Sequence, residues 1–266
     1  MNHRQLYIMI RLYMKFQLIS DLHLEFYKDL PNIKDIITPE APNLILAGDI
    51  CFIKHKHFVP FFEKIAPLFK RIIYVLGNHE YYIHSDLRME SISTMVLNAK
   101  TLLTPFKNVY LLDNNYLLLE GNIVILGCTL WSYLSKKDFV CGMTYLSSVS
   151  FVRHKNTTLL KPSITNKLHL EQKRWLTDML DLFADKKIIV VTHYVPTIKG
   201  IDEKYSFFNK AYYSNCDELV YKADIWCCGH THEQKIIHVG ETPLYINALG
   251  KPSERKDGPQ NIIFII

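Results

Sequence analysis

No apolar run in this chain approaches the roughly 18 residues that cross a bilayer, so the sequence offers no spanning helix. Cysteine is sparse and unpatterned. Cys51, Cys128, Cys141, Cys216, Cys227 and Cys228 follow no framework spacing, and the last two adjoin inside a predicted strand, so a reduced, cytoplasmic setting is the simpler reading. Charge of neither sign dominates: 31 basic against 26 acidic residues leave +5, too mild to announce a nucleic-acid or membrane surface, although it suits a phosphate-bearing substrate. There is no repeat, low-complexity tract or linker. The first thirteen residues lack a clear cleavage site and interrupt their apolar run at Arg11, which argues against a signal peptide. Met14 makes a natural start, so residues 1–13 read as an N-terminal extension and 14–266 as one domain.

What the chain does have is five apolar runs, each ending in residues that bind metals. Lys15 to Ile19 runs into Ser20-Asp21-Leu22-His23, and Asn43 to Ala47 into Gly48-Asp49. Arg71 to Leu76 runs into Gly77-Asn78-His79-Glu80, Lys187 to Val191 into Thr192-His193, and Asp224 to Cys228 into Gly229-His230-Thr231-His232. Runs this β-branched read as strands of a sheet covered on both faces, delivering chemistry at their carboxyl ends. Gly77 is expected to supply a tight turn. Between them, residues 58–69 predict a helix that Pro67 kinks or divides, and Asp86 can cap a helix over about 87–103. Three short strands near 108–112, 116–120 and 122–127 suggest a meander. Residues 131–164 read as a lid-like or binding loop, Thr165 opens another helix, and three short strands close the chain. Alternation early and antiparallel strands late give an α/β fold of two packed mixed sheets flanked by helices.

Asp21, His23, Asp49, Asn78, His193, His230 and His232 supply carboxylate, imidazole and amide oxygen. Mixed nitrogen and oxygen ligands without thiolate suit manganese foremost, with zinc, iron or nickel as alternatives, and argue against a structural zinc site. Asp21 and His23, two apart, would face one side of extended chain, and His230 and His232 repeat that spacing around Thr231. Seven ligands exceed one ion and suit two that share a carboxylate. Ions about 3.5–4 Å apart would trap a water that loses its proton near neutral pH and attacks phosphorus in line. Asp49 is the natural bridge.

In order, spacing and context these segments resemble the signature of the calcineurin-like metallophosphoesterase superfamily, over about residues 15 to 250. The resemblance implies a four-layer α-β-β-α sandwich. It implies one metal on Asp21, His23, Asp49 and His232, and a second on Asp49, Asn78, His193 and His230. It also implies catalytic roles for Asp49, as the bridging carboxylate, and for His79, which contacts the phosphate or protonates the leaving oxygen. Protein Ser/Thr phosphatases continue the bridging aspartate into Asp-Arg-Gly, whereas here Ile50-Cys51-Phe52 follows; Glu80 after His79 and the strand from Asn122 to Trp131 look more like a small, mostly bacterial or viral phosphodiesterase-like branch. Asn247-Ala-Leu-Gly250 stands where that branch has Asn-Pro-Arg-Gly.

The expected activity is therefore a phosphodiesterase on a nucleotide-like substrate through a metal-bridging hydroxide. A nucleotide monoesterase or pyrophosphatase and a non-catalytic binding module are the alternatives. Partners would be a phosphoester small molecule or nucleotide, or a short nucleic acid. Glu80 either orients a ligand histidine or caps a turn. Tyr81 and Tyr82 read as packing before pocket lining, His55, His57, His154 and His169 as surface histidines before substrate contacts, and Arg153 and Lys155 equally as phosphate contacts or a solvated basic loop.

Overall fold

Pentapeptides such as Asn43-Leu-Ile-Leu-Ala47 and Arg71-Ile-Ile-Tyr-Val75 have apolar side chains at both parities, so each strand they form must be covered on both faces. A computed structural model describes residues 13–82, 90–138, 153–154, 158–159, 161–202, 209–255 and 261–266. In chain order its strands are β1 (Lys15–Ile19), β2 (Asn43–Ala47), β3 (Arg71–Val75), β4 (Val109–Leu112), β5 (Asn115–Leu119), β6 (Ile123–Cys128), β7 (Arg153–His154), β8 (Thr158–Leu159), β9 (Lys187–Thr192), β10 (Ile225–Cys228), β11 (Gln234–Val239), β12 (Thr242–Asn247) and β13 (Ile262–Ile265). The longer helices are α1 (Phe58–Ile65), α2 (Ile92–Leu103) and α3 (Pro162–Leu182).

Two mixed sheets result, ordered β13-β1-β2-β3-β4 and β11-β12-β10-β9-β6-β5. Within the first, β1 to β4 are mutually parallel and β13 runs against β1. Within the second, β6, β9, β10 and β12 are parallel, with β5 and β11 antiparallel at the edges. The facing sides meet through Phe16, Leu18, Ile45, Ile73 and Val75 against Ile125, Ile189, Val191, Ile225 and Cys227. The alternate residues point outward. Leu44, Leu46, Ile72 and Tyr74 pack on Phe58, Phe61, Phe62 and Met95 of α1 and α2, while Val124, Leu126, Val190 and Trp226 pack on Leu176 and Leu180 of α3. The layers are helix, sheet, sheet, helix, as expected.

Several local expectations change. The meander does not form: β4 pairs with β3, the chain crosses at Asp113-Asn114 into the other sheet, and only β5 and β6 make a hairpin. Turn residues mark where a strand stops, not which sheet the next one joins. Helix α2 starts at Ile92, because the Ser91 side chain accepts the Thr94 N–H at 3.1 Å; Asp86 lies outside the described residues. Helix α3 starts at Pro162 rather than Thr165, since proline is preorganised for a first turn and its missing N–H costs nothing there. Pro67 divides its helix as predicted, into α1 and a 3₁₀ turn at Ala66–Leu68. Residues 1–12, most of the expected loop between 139 and 160 with Cys141 and Lys155, and the side chains of Arg153 and His154 lie outside the described residues.

The parallel strands β1, β2 and β3 end at the same margin as β9 and β10 of the facing sheet, and the His193 Nδ1–H donates across to the Ala47 carbonyl at 2.9 Å. That margin carries all five metal-type segments.

Candidate metal centre

The residues beyond those strand ends do not continue in extended form. Asp21, His23, Asp49, His230 and His232 have φ of 56°, 47°, 54°, 71° and 53°, in the left-handed region that Asp and His visit only sparingly. The extended reading of Asp21-Leu22-His23 is therefore corrected. The turns are imposed from the neighbouring strand: Asp21 N donates to Gly48 O (2.9 Å), His23 N to Asp49 O (3.0 Å) and Leu24 N to Ile50 O (3.0 Å). Each such residue costs roughly 1–3 kcal/mol in backbone strain, which the surrounding contacts must outweigh.

Close approach explains the glycines. A Cβ on Gly48 would meet His193 Nδ1 at 2.5 Å and Gly77 N at 2.7 Å, and one on Gly77 would lie 2.6 Å from Asp49 N. Gly77 has no left-handed φ, so its service is space rather than the turn expected of it.

Glu80 ties these loops together. Fully buried, its carboxylate accepts the N–H groups of Asp49 (3.0 Å), Ile50 (2.8 Å) and Gly77 (2.8 Å) and the Tyr74 hydroxyl (2.6 Å). Burial and the Asp49 charge push its pKa up to about 7, against the pull of those donors. Of its two expected roles, orienting a histidine and capping the next turn, neither describes these bonds: it clamps the β2 and β3 turns. Glu80→Gln, which sets an amide N–H against backbone N–H donors, should lower unfolding free energy by about 2–3 kcal/mol in urea titration. A change below about 0.5 kcal/mol would refute the clamp.

The seven candidate ligand residues come together. His23 Nε2 lies 2.9 Å from His232 Nε2, and Asp21 Oδ1 lies 3.5 Å from the latter. His193 Nε2 lies 3.0 Å from Asn78 Oδ1 and 3.1 Å from His230 Nδ1. Between the two groups stands Asp49. Its Oδ1 accepts the His79 N–H at 2.8 Å, leaving Oδ2 3.3 Å from His193 Nε2 and 3.9 Å from His23 Nε2.

Hydrogen bonds on the far side of each ring decide which face is bare. Nδ1 of His23 donates to Glu25 Oε1 (3.1 Å), Nδ1 of His232 to Glu254 Oε2 (2.5 Å) and Nδ1 of His193 to Ala47 O. Asn78 donates through Nδ2 to the Tyr82 hydroxyl at 2.9 Å, which turns its oxygen inward. His23, His232, His193 and Asn78 thus turn acceptors inward, and ring lone pairs as close as the 2.9 Å between His23 and His232 repel unless a cation lies among them. Burial alone would lower His193, yet the Asp49 carboxylate outweighs it and lifts the imidazole to about 9, whereas burial keeps His23 and His230 below the usual imidazole range. The donor set suits borderline divalent ions.

His79 is buried beside these groups. Its Nδ1 lies 2.7 Å from Glu25 Oε1, and its ring is surrounded by His23, Phe52, Tyr82 and Phe26 at centroid distances of 4.3, 5.8, 4.8 and 6.1 Å. Sequence reading missed Glu25, although the period-two run Asp21-x-His23-x-Glu25 could have raised it. It also missed Glu254 and Arg255, which sit in an irregular loop without a pattern. The Arg255 guanidinium donates to the carbonyls of Leu22 and Gly250, both at 2.9 Å, and so fastens that loop to the β1 turn. His57 and His169 are buried rather than on the surface, bonded to the carbonyls of Leu24 (3.0 Å) and Trp131 (2.6 Å). Tyr81 and Tyr82 are buried as expected, and Cys227 and Cys228 are buried strand fillers.

Residues 14–234 match the family model described as calcineurin-like phosphoesterase. The chain belongs to that family. Calcineurin-like phosphoesterases are metal-dependent phosphoester hydrolases, and the acceptor groups above are this member's candidate metal ligands. The chain is 30% identical to protein L509 of Acanthamoeba polyphaga mimivirus, over 90% of this chain and 92% of that protein. Its fold is similar to that of phosphopantetheinyl hydrolase from Mycobacterium tuberculosis, with a TM-score of 0.71 at 16% identity, covering 95% of this chain and 97% of the other. It is also similar to TT1561 of Thermus thermophilus, with a TM-score of 0.54 at 12% identity over 89% and 90% of the two chains.

Proposed function

We propose that the chain is a two-metal phosphodiesterase acting on a nucleotide-like substrate. Asp21, His23, Asp49 and His232 would hold one divalent cation, and Asp49, Asn78, His193 and His230 the other, with manganese foremost and zinc, iron or nickel as alternatives. When bound, such ions acidify a water and draw charge from the phosphoryl oxygens. The observation that carries this reading is the single oxygen Asp49 Oδ2, poised between two sets of bare ring nitrogens at 3.3 and 3.9 Å.

His79 supplies the proton for the departing oxygen. Burial lowers its pKa, but Asp49 and the hydrogen bond to Glu25 outweigh that and raise it, so the ring holds its proton. With Nδ1 committed to Glu25, Nε2 is the nitrogen left to donate.

The rim favours a diester. Phe26 is 51% exposed beside His79, with the Lys251 ammonium 5.6 Å from its ring centre, and Phe52 flanks the same histidine. Exposed aromatic faces suit the organic arms of a diester, bases included, whereas a doubly charged monoester would call for more cations. A short nucleic acid end presents the same group. The buried free cysteines Cys51, Cys128, Cys216, Cys227 and Cys228 suit a reducing, cytoplasmic setting, and no helix among the described residues is long and apolar enough to cross a membrane. A binding module that had lost catalysis is disfavoured, because all seven candidate ligands and His79 are present and converge.

With manganese, the full-length protein should hydrolyse bis(4-nitrophenyl) phosphate at least about tenfold better in kcat/KM than 4-nitrophenyl phosphate, a difference of about 1.4 kcal/mol. The reverse ratio would make it a monoesterase; turnover of neither would favour the binding module.

A further inference from the structure

We infer that Glu25 is a positioning residue that sets the orientation and tautomer of His79 and couples it to the His23 side of the cradle; this rests on the reading of His79 as proton donor. Glu25 lies in the 3₁₀ turn Leu24–Phe26, directly after the left-handed His23. One of its oxygens serves two rings: Oε1 accepts from His79 Nδ1 at 2.7 Å and from His23 Nδ1 at 3.1 Å. That shared oxygen holds the imidazoles edge to face, with centroids 4.3 Å apart and planes at 75°.

Its other oxygen makes the case for function over packing. Glu25 Oε2 is buried and, among the described residues, has no hydrogen-bond partner. A buried carboxylate with an unsatisfied oxygen costs folding free energy, and an apolar side chain of similar size would fill the space without that cost. What an apolar residue could not do is hold both Nδ1–H groups.

The consequence for the reaction is specific. With both Nδ1 atoms donating to Glu25, His23 offers a bare Nε2 to the cradle while His79 keeps a proton on the nitrogen that remains. Without the carboxylate, the His79 ring can rotate about its side-chain bonds or exchange tautomers, and its proton is no longer aimed.

The test compares Glu25→Gln with the wild type, both full length and saturated with manganese, on two diesters. One is bis(4-nitrophenyl) phosphate, whose leaving group needs little protonation, and the other is a dinucleoside phosphate, whose alkoxide does. The expected result is a fall in kcat of about 10²-fold for the dinucleoside phosphate and only a few-fold for the nitrophenyl ester, with KM and bound manganese unchanged. Equal losses on both diesters, or loss of manganese at saturation, would overturn the inference.

A second readout does not depend on activity. In the zinc-loaded protein, ¹⁵N spectra of the His79 ring should show protons on both Nδ1 and Nε2 in wild type and loss of the fixed Nδ1–H in Glu25→Gln; an unchanged ring would overturn the proposal. If wild type cleaves neither diester, the phosphodiesterase reading falls and the ring spectra still decide the role of Glu25. Should the glutamine variant not fold, Glu25→Asp, one methylene too short to reach both rings, is read by the same spectra.

Discussion

Asp49→Asn should lower phosphodiester turnover by roughly 10³-fold or more and leave fewer than two cations per chain by elemental analysis. The substitution preserves shape and, through Oδ1, the bond from the His79 N–H, so the fold should survive. What it removes is the negative charge at Oδ2, where both sets of ring nitrogens converge. Two-metal catalysis derives several kcal/mol from cations held at fixed separation, and each 1.36 kcal/mol is tenfold in rate. An amide also presents a donor or a weaker acceptor to His193 Nε2. Wild-type turnover with two bound cations would remove Asp49 from the bridge, and the proposed mechanism with it.

His79→Gln should lower kcat by about 10²–10⁴-fold, the range lost with a general acid, while KM and bound metal stay near wild type. On the proposed mechanism the ring would supply a proton in the transition state, and the residue's bond to a candidate ligand is its backbone N–H to Asp49 Oδ1, which glutamine keeps. Losing a cation along with the side chain would instead make His79 part of the cradle.

The site was more legible in the sequence than its geometry. Strand ends at Ile19, Ala47, Val75, Thr192 and Cys228 can be found because apolar runs stop abruptly at polar residues, and the ligand types follow at once. The left-handed turns at Asp21, His23, Asp49, His230 and His232 could not be read, since hydrogen bonds from segments distant in the chain impose them, as between His23 N and Asp49 O. The split of β4 from β5 was equally hidden: Asp113-Asn114 looks like any hairpin turn, and only the packing of Leu112 between the sheets and of β5 against β6 shows the crossing. Glu254 and Arg255 had no periodicity to betray them, and they lie beyond the 14–234 stretch that matches the family. Their part in the site follows from β12 returning the chain past His232.

The five strained residues also bear on how such a centre can arise. At roughly 1–3 kcal/mol apiece their combined burden rivals the whole 5–15 kcal/mol by which a domain of ordinary stability stays folded. Copying the seven side chains onto another scaffold would therefore reproduce the ligand list without the centre. The donor atoms converge only where two sheets are stiff enough to hold unfavourable backbone in place. Architecture and chemistry are bound together here, so a change that slackens either sheet would disperse the donor atoms even with every one of the seven side chains in place.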